Sequence, residues 1–89
     1  MVLTDLRAQI DKIDDELVRL FCDRMEIAAR IADYKRENNL PILMPAREQE
    51  KLEDVAAKAG PEMAEYTQQL YNLLFELSRD YQHKYSEVV

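Results

Sequence analysis

Apolar side chains recur through the first third of the chain at alternating steps of three and four. Leu3, Leu6, Ile10, Ile13, Leu17, Leu20, Ile27 and Ile31 follow this rule, with one skipped step at Arg24. That is a heptad seam sustained over successive repeats, and it predicts one helix from Thr4 to about Asn38. The a positions read Leu3, Ile10, Leu17, Arg24, Ile31, so a charge sits where the pattern asks for an aliphatic residue. Thr4 or Asp5 is the expected cap, with Asp5, Asp11, Asp14, Asp15 and Glu16 weighting the positive end. Asn38 and Asn39 supply a left-handed stop, and Pro41 forbids continuation.

After a short loop over 39–44, Pro45 suits the first position of a second helix, which runs through Leu52, Val55, Ala56 and Ala59. Its cap is then Met44, which has no side-chain acceptor for the exposed amides. Gly60-Pro61 closes this helix and opens a third, whose Met63, Leu70, Leu73, Leu74, Leu77, Tyr81, Tyr85 and Val88 fall at helical spacing. No stretch reads as a strand, a repeat or a low-complexity linker. The expected fold is all-α, with long, short and medium helices in a single domain over residues 1–89.

The long helix is too long for its chain. About 34 residues at ~1.5 Å each make a rod of roughly 50 Å, whereas a compact chain of this size is roughly 30 Å across. A second copy is therefore expected, the two long helices packed along each other. At 89 residues the chain is also near the size at which oligomerisation commonly supplies missing burial.

Composition narrows the function classes. One Gly and three Pro with 34% charged residues suit a helical protein, and a net charge of −6 without a basic run argues against nucleic-acid binding. Cys22 is the single cysteine, at a heptad f position, and reads as a reduced thiol. No run reaches the length of a membrane span and no charged-then-apolar leader is present, so no membrane association and a cytoplasmic location are expected.

Three cations of the long helix are candidates for chemistry. Arg24 and Lys35 lie 11 residues apart, within ~20° around the helix and ~16 Å along it, so both side chains could reach one small anion. Arg7 is ~25 Å from Arg24 along the axis and could join that site only from an antiparallel partner. Cations on long helices are usually solvated, and a lone polar a residue often sets register. A buried guanidinium at Arg24, however, needs an anion. In the second helix Arg47 has the wrong sign for a helix start, which points to an anion site at that amide-rich end, whereas Glu48 is unremarkable there. Ser78 and Gln82, four apart beside the third apolar stripe, read alone as boundary positions. His83 is solitary and reads as a surface residue.

Taken together, the residues resemble a family. The order Leu6-Arg7-x-x-Ile10-Asp11-x-x-Asp14, then Leu17, Leu20, Arg24, Ile31 and Lys35, then Pro45-x-Arg47-Glu48, and finally Ser78-x-x-x-Gln82, is similar over essentially the whole chain to the all-helical, type II chorismate mutases. The resemblance implies an intertwined homodimer of three-helix chains, in agreement with the rod length. It implies the Claisen rearrangement of chorismate to prephenate in phenylalanine and tyrosine biosynthesis, with no metal and no cofactor. It also implies roles. Arg24 and the partner copy's Arg7 would grip two carboxylates, Lys35 and Gln82 would donate to the ether oxygen, and Glu48 would take the ring hydroxyl. Arg47 would support that polar end and Ser78 would lie near a carboxylate. Met44 departs from the family, which often has Asp there to cap the second helix and shape the hydroxyl end of the pocket. Two other readings stay open: an isochorismate pyruvate lyase, which shares the fold and a similar cation set, and a non-catalytic helical dimer or regulatory module. Glu48, placed for the chorismate hydroxyl, favours the mutase.

Overall fold

The computed structural model describes residues 2–88, with side chains from Val2 to Lys84. The side chains of Tyr85 and Val88, the last members of the third stripe, lie outside the described residues. Three helices follow one another: α1 Leu3–Glu37, α2 Pro45–Ala59 and α3 Ala64–Val88. Long, short and medium is the predicted order.

Local signals account for most of the ends. The start of α1 corrects the sequence reading, because the N-cap is Val2 in extended backbone (φ −102°, ψ 162°) and Thr4 and Asp5 lie inside the first turn. The helix takes in Leu3, where the apolar period begins. Asp5 still serves this end, its Oδ2 accepting the Val2 N–H at 3.5 Å, with its charge at the positive pole. At the other end Asn39 adopts φ +56°, a conformation that Asn tolerates better than most residues. The Leu40 N–H then reaches back to the Lys35 carbonyl at 2.8 Å and the Asn39 N–H to Arg36 at 3.3 Å, the paired bonds of a Schellman stop. Pro41 follows.

Met44 is the N-cap of α2 and makes no side-chain cap bond. Gly60 ends that helix at φ +86°, ψ 164°, backbone open in practice to glycine alone. A Cβ there would meet nothing within 4 Å, so the dihedral and not crowding demands glycine. A turn over 61–63 intervenes, and α3 starts at Ala64, a little later than the Gly60-Pro61 junction suggested.

α3 packs on both α1 and α2, while α1 and α2 do not pack on each other. The buried apolar side chains among the described residues are few: Ala28, Ala29 and Ala32 of α1, Val55 of α2 and Phe75 of α3. Three alanines on one stretch let α3 approach α1 closely, and Tyr71 and Phe75 meet edge to face with ring centroids 6.1 Å apart. The rest of α1 projects beyond this contact. Every residue from Val2 to Asp23 is exposed, so seam positions such as Ile10 and Leu17 are 56% and 55% accessible in the single chain. The molecule measures 54 × 29 × 14 Å, with a radius of gyration of 16.2 Å against ~12 Å for a compact chain of this length. Among the described residues no helix is long and apolar enough to cross a membrane.

Candidate active site

Because α1 and α2 are joined only through α3 and the loop, a cavity opens between them. Its volume is about 600 Å³. The C-terminal half of α1 lines it with Arg24, Ala28, Ile31 and Lys35, positions spaced by four, three and four and so on one helical face. The loop adds Ile42 and Met44, α2 adds Arg47, Glu48 and Lys51 from its first turns, and α3 closes it with Phe75, Ser78, Arg79 and Gln82. Of the residues singled out from the sequence, Arg24, Lys35, Met44, Arg47, Glu48, Ser78 and Gln82 meet here. Arg7 does not: it is exposed on the projecting part of α1, ~25 Å along the helix from Arg24.

Arg24 is held by neutral groups. Its Nη1 donates to Ser78 Oγ at 2.8 Å, and its guanidinium carbon stands 5.8 Å and 5.9 Å from the ring centroids of Tyr71 and Phe75, within cation–π range. Ser78 is buried, and its Oγ lies 3.9 Å from Met25 Sδ, to which it can donate. Lys35 donates to the Ile42 carbonyl at 2.8 Å, tying the loop to α1. Neither cation has an ion pair among the described residues. Two half-buried cations whose partners are neutral leave the cavity with unspent positive potential, although the whole chain carries −6.

Gln82 is 6% exposed and its Nε2 donates to the Ala28 carbonyl at 2.9 Å. Ser78 and Gln82 are therefore buried polar seals between α3 and α1 and not the boundary positions that each suggests alone. An amide nitrogen carries two N–H groups, so a second donor remains for whatever enters. Arg47 is paired outward with Glu50 at 3.3 Å and is 62% exposed, which places it at the rim and offsets its wrong sign at the helix start. Lys51 is spent on Asp54 at 3.3 Å, and hydrogen bonds from Lys58 and Lys51 hold the Asp54 carboxyl below its ordinary value.

Sequence reasoning missed Arg79. It forms an ion pair with Glu48 across the cavity wall, the two side chains 30% and 27% exposed. The available signal was a cation between Ser78 and Gln82 on the polar edge of the third stripe. The stacking of Arg24 on Tyr71 and Phe75 was missed as well, since neither ring belongs to the apolar stripe read for the third helix.

Residues 6–83 match the family described as chorismate mutase type II. Relatives include a bifunctional chorismate mutase/prephenate dehydratase of Aquifex aeolicus, 45% identical over 53 residues, which is 60% of this chain and 15% of that protein. The T-protein of Haemophilus influenzae is 44% identical over 46 residues, covering 52% of this chain and 12% of the relative. A chorismate mutase of Methanocaldococcus jannaschii is 35% identical over 46 residues, or 52% of this chain and 46% of that one. The chain thus spans less than half the length of these curated relatives. No solved structure matches it significantly. With a match over residues 6–83 and a cation-rich cavity between three helices, the chain belongs to the chorismate mutase type II family.

Proposed function

We propose that this chain is a chorismate mutase domain, residues 1–89, that rearranges chorismate to prephenate in phenylalanine and tyrosine biosynthesis. The carrying observation is the cavity in which Arg24 and Lys35, both without a carboxylate partner among the described residues, face the amide of Gln82 and the hydroxyl of Ser78. The rearrangement breaks a C–O bond as a C–C bond forms within one molecule. It calls for a site that holds a dianion in its compact conformer and meets the charge that grows on the ether oxygen.

The residues divide that work. Arg24, fixed by Ser78 and the two rings, grips one carboxylate without paying to reorganise. Lys35 exchanges its bond to the Ile42 carbonyl for the ether oxygen, where its charge counts for more as negative charge develops than against the neutral ether. The free N–H of Gln82 donates to the same atom. Glu48 accepts the ring hydroxyl, with Met44 and Arg47 at that end of the rim.

The second carboxylate requires Arg7 from another copy. The exposed seam along α1 supports a homodimer in which the long helices lie side by side, so that each projecting N-terminal half reaches the other's cavity. The exposed, unpaired Cys22 suits a cytoplasmic setting, and the net negative charge gives nucleic acid no purchase.

Purified protein incubated with chorismate, followed by loss of the diene absorbance with identification of the product, tests the reading. Prephenate is expected. Release of pyruvate from isochorismate in its place would make the chain a lyase, and a folded dimer with no saturable turnover would make it a non-catalytic module.

A further inference from the structure

We propose that Arg79 is a positioning residue of this site, one that neutralises and aims the Glu48 carboxylate so that a dianion can bind beside a fixed negative charge. The inference rests on the mutase reading above.

Glu48 poses a physical problem in a site for anions. It sits on the first turn of α2, lines the same cavity as Arg24 and Lys35, and is well enough buried for solvent to screen it incompletely. Left unpaired, its charge would repel both substrate carboxylates and cancel part of the attraction of the cations. It would also be free to swing, because α2 makes no direct packing contact with α1 and the cap at Met44 is weak.

α3 answers both difficulties with one residue. Ser78 and Gln82 share the face that seals against α1. Arg79, the next residue after Ser78, is turned ~100° around the helix and meets α2, where its Nη1 donates to Glu48 Oε2. Six of the chain's twelve cations behave otherwise. Arg19, Arg30, Arg36, Arg47, Lys51 and Lys58 pair with carboxylates three or four positions away on their own helix, whereas Arg79 spans two helices at the wall of the cavity. It occupies one carboxylate oxygen and leaves Oε1 to accept the ring hydroxyl.

The test is a double-mutant cycle on the dimer, with wild type, Arg79→Met, Glu48→Gln and the double variant assayed for steady-state turnover of chorismate and for folding by circular dichroism. Arg79→Met should raise KM about tenfold or more with a smaller change in kcat, the signature of an uncompensated charge near a bound anion. In the Glu48→Gln background the same substitution should change KM less than about threefold, since no charge remains to be neutralised. Arg79→Lys should recover most of the wild-type KM. Equal costs in the two backgrounds, or a fall in kcat at constant KM, would overturn the positioning role. Should Arg79→Met fail to fold, Arg79→Gln, which keeps a donor but not the charge, takes its place in the cycle. Inactive wild type would remove the mutase reading and this inference together, whereas additive costs in an active enzyme remove the inference alone.

Discussion

Gln82 shows how much one buried amide is asked to do. It donates to the Ala28 carbonyl and, in the proposed mechanism, to the breaking bond, and it does so without titrating. Gln82→Glu tests both. A protonated Glu can make the Ala28 bond. An ionised one is acceptor-only, buried, and set against a carbonyl, so its folded-state pKa is raised above the unfolded value of ~4.3. An acid raised in the folded state binds more protons there than when unfolded, so stability falls as pH rises from about 4.3 through the folded value. The melting temperature of the variant, relative to wild type, should therefore be closer at pH 5 than at pH 8. Turnover should fall in the same direction, by about a hundredfold at pH 8, the usual cost of one lost donor to a developing oxyanion. A variant with wild-type kcat/KM at pH 8 would mean that Gln82 does not face the ether oxygen.

At the scale of the element, α2 is the helix most open to improvement. Its cap, Met44, offers no acceptor, and only the Met44 carbonyl takes up the Arg47 and Glu48 N–H groups, at 3.1 and 3.2 Å. Met44 is 41% exposed, so little packing is lost on replacement. Met44→Asp should add an acceptor for the first-turn amides and stabilise the protein by ~0.5–2 kcal/mol, read as a rise in melting temperature. No rise would mean that the Met side chain packs against something the single chain lacks. The helices themselves were legible beforehand, through the heptad of α1, the Asn39 stop, Pro45 and Gly60, because each acts over a few residues. The start of α1 was misread because two good capping residues, Thr4 and Asp5, follow an apolar residue that already belongs to the helix.

The whole molecule raises the question of what covers α1. In an isolated chain Leu17→Lys would alter an exposed position and shift stability by only about 0.5 kcal/mol. In the proposed homodimer the same lysine is buried in the seam opposite another copy, so dimer mass in sedimentation should fall and the melting temperature should drop and depend on concentration. An unchanged mass and melting temperature would mean that the seam is not an interface. The shared site has its own test. A mixture of Arg7→Ala and Lys35→Ala chains, each nearly inactive alone, should regain activity on subunit exchange. One site of the mixed dimer then carries both lesions and the other carries neither. No recovery after demonstrated exchange would place Arg7 outside the site.

Sequence alone determined the three helices, the overlong apolar seam and the shared face of Arg24 and Lys35, since period, caps and breakers are properties of neighbouring residues. The match of seven candidate residues to one cavity followed from a family resemblance and from helix order. Which of them bond to which was decided by tertiary structure. Arg24 finds Ser78 across 54 positions and Glu48 finds Arg79 across 31, pairings set by how α3 crosses the other two helices. That crossing depends on the close approach permitted at Ala28, Ala29 and Ala32. No local pattern encodes it, because side chains far apart in the chain become partners only once packing has oriented the helices that carry them.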